Sequence, residues 1–144
     1  MITSSSQPPR SRNNISLWPK GAAGHLATGL NYRNLRRHLG EMGGDPALSK
    51  LLTLISVDEQ AHYHFFLEAV RLHLQHDRAG TLKQVHRVLH TFAMPALHML
   101  ADSPQREAKV RSLHIFDEQI FFRDVYEPVL AALGVARPEL RRCA

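Results

Sequence analysis

Asp45-Pro46-Ala47-Leu48-Ser49-Lys50-Leu51-Leu52-Thr53-Leu54-Ile55-Ser56-Val57-Asp58-Glu59-Gln60-Ala61-His62 opens the longest apolar-periodic segment of the chain, and its reading decides the fold. Asp45 offers a side-chain acceptor to the first free backbone N–H groups of a helix, and Pro46 has no N–H to lose at the first helical position. Beyond them, Leu48, Leu51, Leu52, Ile55, Phe66, Ala69 and Val70 recur at the 3.6-residue period, so the spacing predicts one helix from about 46 to about 76. The same stripe runs through Glu59 and His62, which places both on the apolar side of that helix.

Working outward, residues 22–39 fit a shorter helix stopped by Gly40 and by Gly43-Gly44. After Ala79-Gly80, with Thr81 as a cap, a third helix carries Val85, Val88 and Leu89, and Met94-Pro95 marks a bend. Asp102-Ser103-Pro104 opens a fourth, long helix over about 104–133, in which Pro128 predicts a kink or a division. No stretch alternates in the two-residue period of a half-buried strand. The class predicted is all-α, a helical bundle with two long helices, 46–76 and 104–133, side by side. Residues 1–20, rich in Ser, Pro, Asn and Arg, read as a disordered basic tail, 21–134 as the bundle and 135–144 as a C-terminal tail.

At 144 residues, 44% hydrophobic and 22% charged, the chain is sized for one domain with a core. No apolar run reaches the roughly 18 residues of a membrane span, and residues 1–20 lack the apolar segment of a secretory signal. Cys143 alone excludes an internal disulfide framework, so a reducing, cytoplasmic setting is expected. The net charge of +5 divides into +3 from Arg10, Arg12 and Lys20 and +2 from the end, where Arg137, Arg141 and Arg142 oppose Glu139; residues 21–136 are balanced. A nucleic-acid partner is therefore not expected, because the excess is at the ends and not on a folded face.

An ionised carboxylate on a core-facing stripe is costly unless it is paired, hydrogen-bonded or bound to a metal. Glu59 and His62, three residues apart on one inward face, have the spacing that carboxylate-bridged di-iron and di-manganese bundles use. Asp58, one turn before His62, is placed to accept its second ring N–H and fix the tautomer. The plainer reading makes Glu59 and His62 solvated helix neighbours. His86 and His90 share an i, i+4 face and read as a surface pair. Nucleophilic catalysis has no support, since no Gly-x-Ser-x-Gly or phosphate-cradling loop is present.

Ile55-Ser56-Val57-Asp58-Glu59-Gln60-Ala61-His62 resembles the second metal-binding motif of soluble acyl-acyl-carrier-protein desaturases. Phe92-Ala93-Met94-Pro95-Ala96 is similar to that family's Met-Pro segment. Ile115-Phe116-Asp117 and Arg123-Asp124-Val125-Tyr126-Glu127-Pro128-Val129-Leu130 resemble its C-terminal helix, and His25-Leu26-Ala27-Thr28 with Tyr32-Arg33-Asn34 a stretch upstream of the metal motif. The resemblance covers about 25–134 and implies part of a ferritin-like bundle. It implies fatty acid biosynthesis: O2-dependent insertion of a double bond into a fatty acyl chain on acyl carrier protein, with a ferredoxin-type donor, two irons per subunit and a possible homodimer. Carried over by position, Glu59 and His62 become metal ligands and Asp58 the partner of His62. Where the family has an upstream glutamate this chain has His25, which leaves its part in the site open. The family's first glutamate and first Glu-x-x-His have no counterpart. The chain is thus expected to be a truncated desaturase, inactive alone; the alternative is a non-catalytic helical interaction module, or a decayed remnant, that binds no iron.

Overall fold

The computed structural model describes residues 17–93 and 103–144, and among these every regular element is helical. Helix α1 spans Leu17–Glu41, α2 Pro46–His76, α3 Arg78–His90 and α4 Ser103–Ser112. A short α5 (Glu118–Phe121) passes through a π-helical turn (Phe122–Tyr126) into α6 (Glu127–Leu133), and α7 (Arg137–Arg142) closes the chain. None of the described helices is long and apolar enough to cross a membrane.

α1 and α2 form an antiparallel hairpin that organises everything else. α1 ends in a Schellman turn: Gly43 adopts φ +70°, and Gly44 N–H donates to Leu39 C=O at 2.8 Å. Asp45 then caps α2, accepting from Ala47 N–H at 2.8 Å, with Pro46 behind it. The face that α1 turns to α2 is built of small residues, with Ala22, Ala23, Ala27 and Gly29 buried beside Leu26. These let the backbones approach so closely that a Cβ on Gly29 would lie 3.1 Å from Cβ of Glu59, and one on Gly21 would overlap the Phe66 ring. α2 answers with Leu52, Tyr63, Leu67, Val70 and Leu74. On the hairpin's other side pack Leu82, Val85 and Leu89 of α3, Val125 and Tyr126 of the π turn, Val129, Leu130 and Leu133 of α6, and Leu140 of α7. Arg71 crosses from α2 to donate to Ala132 C=O from Nη2 at 2.7 Å, satisfying a carbonyl at the end of α6.

Four boundaries differ from the sequence reading. α1 begins at Leu17, so residues 17–20 are helical: Pro19 is tolerated in the first turn, and Trp18 packs edge-on to Phe65 and against Phe66 and His73. The cap of α3 is Asp77, whose Oδ1 accepts Gly80 N–H at 2.9 Å, rather than Thr81, which is buried. The long helix expected over 104–133 is interrupted at 113–117, where His114 takes φ +51° and Asp117 caps a new start through Ile120 N–H at 2.8 Å. The two long helices are accordingly α1 and α2. Residues 135–144, expected as a tail, fold back as α7 because Val135 and Leu140 are apolar enough to bury, and Arg78–Glu139 (2.7 Å) ties them to α3. The Met94-Pro95 bend lies outside the described residues.

The apolar stripe of α2 is wider than its buried part. Leu48 and Leu51, read as core, are exposed, as are Leu54, Val57, Phe65 and Leu72. Among the described residues, α1, α3 and α6 make the main packing contacts with α2 and leave this row of it uncovered.

Candidate metal centre

Three side chains converge between α1 and α2. Glu59 projects from α2 toward α1, its side chain 17% exposed, and accepts a hydrogen bond from His25 Nδ1–H at 2.6 Å. His62 follows one turn later on the same face, its ring centroid 4.9 Å from that of His25. One ligand atom from each of His25, Glu59 and His62 can be chosen so that all lie within 4.8 Å of one another. The His25 ring is stacked on Phe66 at 5.1 Å, which itself abuts Trp18, so an aromatic wall backs the imidazole from inside the hairpin.

Local sequence explains each position. The i, i+3 spacing of Glu59 and His62 puts both over one helix face. The absence of a side chain at Gly29 lets the Glu59 carboxylate enter the interface instead of being pushed out of it. His25 lies one turn before Gly29 on α1 and so meets the carboxylate on the opposite wall. Glu59 is thus partly buried and paired, whereas His62 is exposed and leaves the group open to solvent on one side. Asp58 is exposed, and no hydrogen bond joins it to His62.

The sequence motif supplied Glu59 and His62. His25 is the member that helical spacing within α2 could not reveal, since it lies 34 residues from Glu59 and is brought in only by the register of the hairpin. The one prior signal was its place where the resembling family has a glutamate. Among the described residues no further histidine, cysteine or carboxylate joins the cluster.

Further features of the structure complete the electrostatics. Between the same helices runs an open groove of about 510 Å³, lined by Arg33, Arg36, Thr53, Ser56, Gln60 and His64 among others, with Arg36 Nη1–H donating to Thr53 Oγ1 at 2.7 Å. Burial pushes the Tyr63 phenol above its ordinary value, with Arg71 acting weakly against it. On α3, the His86 and His90 rings lie tilted to each other with centroids 4.1 Å apart, and burial together with its neighbour holds His86 below the usual imidazole value.

A family model described as fatty acid desaturase matches residues 21–134. Comparison with curated proteins and with solved structures gives no match.

Proposed function

The chain belongs to the fatty acid desaturase family, and from that premise we propose that it carries the later ligand-bearing helices of an acyl-acyl-carrier-protein desaturase without a complete catalytic centre. The observation that supports this is the meeting of Glu59 and His62, in the family's Glu-x-x-His spacing, with His25 on the facing helix. The donor set does not fit the two irons that the family implies. Two metals sharing a site need bridging carboxylates, and the described cluster has one carboxylate and two imidazoles. Within this chain, Glu59 orients His25 through the 2.6 Å bond, and the Phe66 and Trp18 wall keeps that side of the imidazole dry. Removal of hydrogens from an acyl chain then requires, on this reading, ligands beyond the three of the described cluster.

On this reading acyl carrier protein and a ferredoxin-type donor are partners of the completed enzyme, in a cytoplasmic setting. The test supplies the purified chain with iron, acyl-acyl-carrier-protein, reduced ferredoxin and O2, and looks for unsaturated product by mass spectrometry. No product is expected. Multiple turnovers by the chain alone would overturn the proposal.

One observation favours a second reading, a non-catalytic helical interaction module. Leu51, Leu54, Val57, Phe65 and Leu72 form an exposed apolar row along α2, of the kind that a bundle covers with further helices. Failure to bind any iron would favour this reading over the first.

A further inference from the structure

We propose that His25, Glu59 and His62 form a mononuclear site for one divalent first-row transition ion, in place of the family's two-iron centre. The geometry carries this. An ion about 2.1 Å from each donor holds neighbouring donors roughly 3.0–3.4 Å apart. The three ligand atoms already lie within 4.8 Å of one another. The 2.6 Å His25–Glu59 contact is a hydrogen bond in the metal-free chain, and an ion bound through Nδ1 would take the place of that proton and widen the pair to the donor spacing an ion imposes. Turning the exposed His62 side chain closes the remainder, while His25 is held by Phe66 and Glu59 by the hairpin interface. Two imidazoles and one carboxylate on one side of an ion are the donor set that suits Fe2+, Co2+ and Zn2+, and they leave positions open for water or a small anion. Those positions face solvent on the His62 side.

The replacement of a carboxylate by His25 decides the nuclearity. A carboxylate has two oxygens and spans two metals, whereas an imidazole nitrogen serves one. With Glu59 the single carboxylate of the cluster, a second ion would find no donor of its own among the described residues.

His86 and His90 are close enough to chelate a metal adventitiously, so the test uses a His86→Gln background of the full, tag-free chain. Co2+ is titrated and followed by calorimetry, by its visible absorption and by the fluorescence of Trp18, the one tryptophan of the chain. One Co2+ per chain is expected. His25→Gln, Glu59→Gln and His62→Gln should each weaken binding on the order of 10–100-fold, with the helical circular dichroism unchanged, and His38→Gln should leave it as it was. Two ions per chain, no saturable binding, or an unaltered affinity in His25→Gln would each overturn the assignment. If His25→Gln does not fold, His62→Gln, at an exposed position, decides in its place: unaltered affinity there overturns the assignment equally. The inference stands on the donor set and not on the desaturase reading. Product formed by a chain holding one ion sinks the proposal of an incomplete catalyst and leaves this site intact, whereas the stoichiometry and the variants bear on this site alone.

Discussion

Gly21 and Gly24 stand three residues apart on α1 under opposite constraints. A Cβ at Gly21 would overlap the Phe66 ring, which is held in turn by Trp18, Phe65 and His25, whereas a Cβ at Gly24 meets nothing within 4 Å. Gly21→Ala should therefore lower stability by about 1–2 kcal/mol, the overpacking exceeding the helix-propensity gain. Gly24→Ala should raise it by about 0.5–1 kcal/mol, through propensity alone. Chemical denaturation of the two variants checks the opposite signs. At Glu59 the pairing with His25 decides the direction. Glu59→Ala in the metal-free chain removes a charge-assisted hydrogen bond from a partly buried place, and should cost about 1–2 kcal/mol by thermal unfolding. A gain in stability would mean that the carboxylate is an uncompensated leftover. Glu59 and His62 were legible in the sequence because their relation is internal to one helix. His25 was not decidable, because its contact depends on how two helices slide past each other, and the small residues that fix this register carry no pattern of their own.

At the scale of elements, the Asp45 cap of α2 was read correctly, whereas Asp77 and Asp117, with no proline beside them, were missed as caps. Asp45-Pro46 announced α2. Asp77 has to end α2 and begin α3 in consecutive residues, its N–H donating to His73 C=O and its carboxylate accepting from Gly80 N–H. Asp77→Ala should cost about 1 kcal/mol in the urea midpoint, as the loss of a helix cap does. The interruption before α5 was hidden because Leu113-His114-Ile115-Phe116-Asp117 contains no proline or glycine to announce it. α4 carries Arg106, Glu107, Lys109 and Arg111, and those of its side chains whose burial is described are exposed or half-buried, which leaves them little to hold the helix in line with α5. Pro128 was read correctly as a disturbance, and the helix meets it by widening. Glu127 N–H reaches back five residues to Phe122 C=O in the π turn just ahead of the proline. That turn holds one residue more than an α-helix would. Deleting the exposed Arg123 should restore the α pitch and rotate Val129, Leu130 and Leu133 by about 100° relative to the preceding turns. The deletion should therefore destabilise far more than Arg123→Ala, which should stay within about 0.5 kcal/mol. Equal urea midpoints for the two would remove the π turn from this account.

At the scale of the whole molecule, acid should loosen the fold in two stages. His86 binds a proton less readily folded than at its ordinary value of 6.5, through burial and then His90, so its stabilising effect fades as pH falls below that value. Glu139 and Asp124 are held below 4.5 and 3.8, chiefly by hydrogen bonds from Arg78 and Arg123, and what they add is lost as pH falls below those values. In all three the unfolded chain binds the proton more readily, so the sign is the same. The thermal midpoint should fall from pH 7 to 5 and again below 4.5, with His86→Gln flattening the first fall and Glu139→Gln the second. The hairpin also fixes an order in time. All three candidate donors lie between residues 25 and 62, and α2 is complete at His76, 14 residues before the end of α3 at His90. At about 5–20 residues per second of synthesis, those take roughly 1–3 s. Contacts between helices joined by a short turn form in microseconds to milliseconds. His25, Glu59 and His62 are therefore all joined to the chain before any residue of the helices that cover the other side of the hairpin, and the order of synthesis puts the candidate site ahead of its cover.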